Sequence, residues 1–234
     1  MKRVLQPELL DELPASDPDA CRSREDLRRV NSWMGNAGAL ARAAGSVSGA
    51  IRRIVEIVAG DGTLLLNVAA RLRVRFEKME TVLVDRQELA TEATLQGFRQ
   101  LGWNASVVVT DLFDWLGSGG LRPGDLVVAN LFLHHFDETR LRVLFELLST
   151  NAHSVIACEP RRSGFCLAST GLLRLIGCNH VTRHDAAVSV AAGFRGDELS
   201  RLWPEGGGWR LREQRAGWFS HVFCATRKED DAAA

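Results

Sequence analysis

Two carboxylates and a pair of histidines stand just after short apolar runs in this chain, and two glycines with an acid between them follow another such run. Glu56-Ile-Val-Ala-Gly60-Asp61-Gly62 closes the apolar run at 54–58 and leads into Thr63-Leu-Leu-Leu. Glycines in that place let the backbone turn sharply and come close to a ligand, and the free N–H groups of a following helix receive polar atoms. Asp85 follows Thr81-Val-Leu-Val84. A carboxylate there can accept both hydroxyl protons of a ribose, or can cap the helix behind it. Asp111 follows Val107-Val-Val-Thr, and Asn130 ends Asp125-Leu-Val-Val-Ala, with His134 and His135 close behind. Either imidazole has the chemistry of a base, and either can brace its loop by hydrogen bonding.

Such residues need elements to aim them, and the chain alternates strand-like with helix-like segments, as a parallel sheet covered on both faces requires. The patterns predict strands at 54–58, 81–84, 107–109, 125–129 and 153–158, with helices at 63–71 and 86–101. Ahead of them, residues 1–20 carry Pro7, Pro14 and Pro18 and predict an irregular lead-in. Leu27, Val30, Trp33 and Met34 recur at helical spacing, and an Ala-rich helix follows Gly35 and Asn36. After Glu159-Pro160 the alternation breaks, which predicts helices inserted at about 160–204. The stretches 209–215 and 219–225 then predict an antiparallel hairpin. The expected organisation is a helical cap at 1–50, an α/β catalytic domain at 51–228 and a tail at 229–234.

Lys plus Arg and Asp plus Glu balance at 29 each, which leaves no net field to hold a nucleic acid. The start, Met-Lys-Arg-Val-Leu-Gln-Pro-Glu, lacks the apolar stretch of a signal peptide, and no later run has the length of a membrane span. A soluble, cytoplasmic protein is the expectation. Five scattered cysteines form no C-x-x-C pair, so neither a disulfide framework nor a zinc-finger pattern is written here, and no metal is expected. With no tyrosine in the chain, polar chemistry falls to His, Asp, Glu and Arg.

Taken in order, these segments resemble the motifs of class I S-adenosylmethionine-dependent methyltransferases of the small-molecule type. The first motif is an acid followed by three alternating glycines, and here Val58 replaces the first glycine. The resemblance implies a Rossmann-like fold, mostly parallel with a C-terminal antiparallel strand and helices on both faces. It implies S-adenosylmethionine as cofactor, held by Glu56, Gly60, Asp61, Gly62, Asp85, Arg86, Asp111, Leu112 and Asn130. In that scheme Asp85 meets the ribose, Asp111 the adenine amino group, and the turn bearing His134 and His135 lies beside the methyl donor.

A nicotinamide or flavin Rossmann domain also uses glycines after its first strand, but its fingerprint needs a third glycine where this chain has Leu65. A non-catalytic cofactor-binding scaffold is the other alternative, because Val58 adds bulk and stiffness to the loop. The acceptor side is expected around Trp33, Arg161 and His184. Ligands of open α/β sheets lie beyond the carboxyl ends of the strands, and an arginine there could hold a carboxylate or phenolate, or be simply solvated. Six tryptophans and an apolar insertion lean toward a small apolar or aromatic acceptor, with O-methylation favoured and His135 ahead of His134 as base.

Overall fold

The computed structural model describes residues 1–14, 16–206 and 208–228, so the tail expected at 229–234 lies outside the described residues. Its centre is a seven-stranded sheet in the order β3-β2-β1-β4-β5-β7-β6. The strands are β1 (Arg53–Ile57), β2 (Glu80–Asp85), β3 (Asn104–Val109), β4 (Asp125–Asn130), β5 (Ala152–Pro160), β6 (Trp209–Ala216) and β7 (Ser220–Arg227). The first five run parallel, and β7 lies antiparallel between β5 and β6. The predicted sheet with its antiparallel strand near the C-terminus is what the chain forms.

Around it run α1 (Leu9–Glu12), α2 (Pro18–Met34), α3 (Asn36–Gly45), α4 (Thr63–Leu72), α5 (Glu92–Gln100), α6 (Leu112–Gly117), α7 (Glu138–Asn151), α8 (Gly164–Thr170) and α9 (His180–Ala192). Alternate residues of β1 face opposite ways, as pleating demands. Ile54 joins Leu40, Leu65 and Phe98 in the core under α3, α4 and α5, whereas Val55 and Ile57 join Leu112, Leu144 and Phe145 under α6 and α7. Both faces are thus covered. At the amino ends of β1 and β4, buried Arg53 and Asp125 pair at 2.5 Å and pin the edge opposite the predicted site.

Several local expectations change. The lead-in is not irregular to residue 20: α1 forms, and α2 already begins at Pro18, capped by the Asp17 carboxylate on the N–H groups of Asp19 and Ala20. The helical spacing predicts that α2 buries Leu27, Val30, Trp33 and Met34, yet it buries Ala20, Ser23 and Asp26. The reason is polar: Asp26 accepts from the Asn179 N–H at 2.8 Å and the Thr182 hydroxyl at 3.2 Å, so α2 docks on α9 through hydrogen bonds. The helix predicted at 86–101 starts only at Glu92, capped by Thr91, because the Asp85 carboxylate takes the Gln87 N–H into a turn first.

Candidate active site

The carboxyl ends of β1, β2, β3 and β4 carry the residues singled out above. Leaving β1, Val58 has φ 52° and is 41% exposed, while Gly60 and Gly62 have φ 56° and 72°. The loop therefore needs left-handed backbone at three alternating positions, and Val58 adopts it against the preference of a β-branched residue. A Cβ on Gly62 would also meet Leu83 at 2.6 Å, so that glycine is required twice over. Among the described residues the other non-glycine with positive φ is Leu131, at 51°, directly after β4. Strands β1 and β4 are neighbours, so both strained residues flank one crevice, the point where the connections to this sheet reverse.

Asp85, at the end of β2, accepts the Gly60 N–H at 2.9 Å on one oxygen and the Gln87 N–H at 2.9 Å on the other. It thereby sets the glycine loop and keeps further lone pairs. Glu56 is wholly buried beneath the loop, and its Oε2 has no partner. Burial pushes its carboxyl well above the usual range, and Asp61 and Asp85 push the same way, against one hydrogen bond from the Leu65 backbone. Asp61 binds the Thr63 N–H at 3.1 Å and pairs with Arg28 of α2 at 2.8 Å. Burial opposes its charge, but the hydrogen bonds from Thr63 and Arg28 hold its carboxyl below the usual value. Arg86 is exposed, and its charge acts on Asp11 of α1. Asp111 caps α6 on the Phe113 N–H at 2.8 Å, and Leu112 is buried behind it.

Asn130 accepts from Asn36 of α3 at 3.1 Å, and Asn36 in turn accepts from the Ser220 hydroxyl at 2.7 Å. This buried amide joins three elements at the crevice, and in the sequence only its place at a helix start draws notice. Glu159 of β5 is harder still to find from sequence. Completely buried, it accepts the N–H groups of Phe132, Leu133 and His134 at 3.0, 2.9 and 3.3 Å. It thus shapes the whole turn after β4. No local pattern marks it, since its partners lie about two dozen residues away in the chain.

His134 and His135 differ sharply. The His134 ring is buried, with Nδ1 2.8 Å from Glu159 and Nε2 3.2 Å from Glu8. Burial works against its charge, but the hydrogen bonds and charges of Glu159 and Glu8 win and push its pKa up to about 9. In its charged form the ring donates to Glu159 from Nδ1 and to Glu8 from Nε2. Held between two carboxylates, the His134 ring braces the turn. His135 is one-quarter exposed, with Nδ1 3.4 Å from Asp11.

The residues expected on the acceptor side do not converge on one contact. Trp33 is 66% exposed on α2. Arg161 reaches the Trp218 carbonyl at 3.4 Å, whereas its neighbour Arg162 is buried on the Gly193 carbonyl and on Glu198. His184 does meet Asp185 at 3.0 Å, but the Asp185 carboxylate is committed to the Leu9 and Leu10 N–H groups of α1.

No protein-family model matches the chain, and no curated protein sequence does either. Solved structures do resemble it in fold. The plantazolicin methyltransferase BamL, determined with a triazolic desmethylPZN analog and SAH, superposes with TM-score 0.63 at 12% identity over 94% of this chain and 93% of its own. An O-methyltransferase family protein from Burkholderia thailandensis gives 0.58 at 14% identity over 93% of this chain and 65% of its own. The methyltransferase domain of bacterial CtHen1 gives 0.53 at 16% over 84% and 98%. The chain has the Rossmann-like fold of class I S-adenosylmethionine-dependent methyltransferases. At such identities the likeness speaks for the architecture, and the residues at the strand ends must speak for the chemistry.

Proposed function

We propose that this protein binds S-adenosylmethionine at the carboxyl ends of β1 to β4 and transfers its methyl group to a small apolar or aromatic metabolite, with oxygen as the favoured acceptor atom. The observation that supports this reading is that the glycine loop, Asp85 and Asp111 stand at the carboxyl ends of the successive neighbours β1, β2 and β3, with Asp85 holding the Gly60 N–H and the strained Val58 and Leu131 at the adjacent ends of β1 and β4. The residues suit the group. Asp85 has lone pairs left for ribose hydroxyls, Asp111 and the Leu112 backbone stand where an adenine edge is read, and Glu56, Gly60, Asp61 and Gly62 shape the loop beneath. Buried Glu56 leaves an oxygen without a partner directly under that loop, a sign of a polar site built for more than packing. Asn130 ends β4 beside that crevice, and Arg86 follows Asp85 at the end of β2.

The cofactor supplies a methyl group already activated on a sulfonium. What the chain must add is alignment, exclusion of water and, for an O–H acceptor, removal of one proton. His135, the exposed imidazole of the turn, takes that proton. His134 stays charged and holds the turn between Glu159 and Glu8. Residues 1–50 with the insertion at 160–204 act as the cap: α2 reaches the glycine loop through Arg28, and Glu8 just ahead of α1 and Asp11 within it reach the histidine turn. Trp33, Arg161 and His184 border the acceptor side of that cap. No described helix is long and apolar enough to cross a membrane.

Calorimetry should show S-adenosylhomocysteine binding with low-micromolar affinity or better, roughly −8 kcal/mol. Tight NAD binding without it would reverse the cofactor assignment. Incubation with methyl-labelled S-adenosylmethionine and a cell extract, followed by mass spectrometry, should put label into a small molecule. Label in protein instead would overturn the acceptor class.

A further inference from the structure

Glu8, His134 and His135 come together from distant parts of the chain, and one donor atom from each lies within 4.8 Å of the other two. We propose that these three residues bind a divalent transition-metal cation, with zinc as the best fit, and that the bound cation fastens the segment ahead of α1 to the turn after β4. Glu8 Oε1 and His134 Nε2 already stand 3.2 Å apart. Donors on a tetrahedral zinc with bonds of about 2.0–2.2 Å are about 3.3–3.5 Å from each other. Only His135 must close in, and with its ring 25% exposed it has room to move.

The surroundings are those of a metal-binding imidazole. His134 Nδ1 is held 2.8 Å from Glu159, which three backbone N–H groups orient in turn, so Nε2 is aimed at the other two donors. A carboxylate behind a histidine fixes its tautomer and strengthens it as a ligand. The Ser189 hydroxyl donates to Glu8 and orients it likewise. Asp11, 3.4 Å from His135 Nδ1, steadies the third ligand.

Glu8 and Glu159 place two carboxylates around the His134 ring, an environment that favours a cation. Arg3, which also approaches the turn, donates to the carbonyls of Ala192, His134 and Phe136, and its charge acts on Glu159. Two imidazoles and one carboxylate suit zinc, cobalt, nickel or ferrous iron, and do not suit magnesium or calcium. With the cation bound, His135 is a ligand and not a base, so metal binding and its proton role are alternative states of one imidazole. The proposal does not rest on the methyl-transfer reading.

The test is calorimetric titration of zinc chloride into the chelator-treated full chain, with thermal melts, a magnesium control and a separate S-adenosylhomocysteine titration. One zinc per chain should bind with micromolar or tighter affinity and raise the melting temperature, and magnesium should do neither. Glu8→Gln and His135→Ala should each weaken zinc at least tenfold. His135 is partly exposed, so its variant carries the test if the Glu8 variant misfolds. Zinc binding undiminished in both variants would place the metal elsewhere and overturn the site, as would no binding at all. Binding of S-adenosylhomocysteine without zinc overturns the metal site alone, whereas zinc without S-adenosylhomocysteine overturns only the cofactor reading.

Discussion

At the scale of the residue, Val58 and Asp85 show how one loop carries both strain and function. A valine at φ 52° costs roughly 1–3 kcal/mol, and Val58 is too exposed to recover that by burial. Val58→Gly relieves the strain while loosening the unfolded chain by roughly 0.4–1 kcal/mol, for a net gain of about 1 kcal/mol. A thermal melt should therefore move up by a few degrees, with S-adenosylhomocysteine affinity unchanged or tighter. A lower melting point would mean that Val58 makes a packing contact the loop needs. Asp85→Ala should cost roughly 2–4 kcal/mol of S-adenosylhomocysteine binding, and Asp85→Asn less, since one acceptor oxygen survives. Because Asp85 also holds the Gly60 and Gln87 N–H groups, the alanine variant should melt lower as well. An unchanged dissociation constant would remove the ribose role and leave a loop brace.

At the scale of the element, the turn after β4 is a unit built by a strand it does not belong to. Glu159 of β5 collects its three N–H groups and the His134 ring, and Glu8 closes the other side. The turn therefore has a pH signature. An unfolded histidine titrates near 6.5, whereas His134 in the fold stays charged up to about 9. Its contribution to stability is complete below the unfolded value and is lost as pH rises through the folded one. Melting temperature should fall between pH 6.5 and 9, and this fall should be much smaller in His134→Gln. A wild-type profile flat across that window would mean that the ring is not held charged. Glu8 behaves oppositely: burial is the largest influence and opposes its charge, but the hydrogen bonds from His134 and Ser189 and the charges of His135 and His134 together outweigh it, so its contribution is lost as pH falls below the usual carboxylate range.

At the scale of the whole molecule, the N-terminal segment and the region after β5 lock together, and the N-terminal segment reaches the glycine loop and the turn after β4. The Leu9 and Leu10 N–H groups meet Asp185, Thr182 meets Asp26, Arg28 meets Asp61 and Glu8 meets His134. Occupancy of the glycine loop should therefore be felt in the cap. Saturating S-adenosylhomocysteine at about 100 times its dissociation constant should stabilise the chain by about 2.7 kcal/mol. Amide exchange in α2 should slow along with that in the glycine loop. Ligand-induced protection confined to the loop would show that the cap is uncoupled from the cofactor site.

The periodic apolar runs by themselves determined the sheet, because strands buried on both faces must be short and continuously apolar, and the acids at their ends marked the crevice. Glycines at alternating positions likewise announced a left-handed loop, and Val58 stood out as the position that would resist it. What the sequence could not carry is anything settled by partners remote in the chain. Helix α2 turned its polar Ser23 and Asp26 inward because α9, about 150 residues on, supplies the hydrogen bonds that offset the cost of burying them. From its position alone His134 has the look of a base, and only the tertiary meeting of Glu8 and Glu159 around its ring pushes its pKa up to about 9. Burial and long-range charge decide protonation, and neither is a property of local sequence.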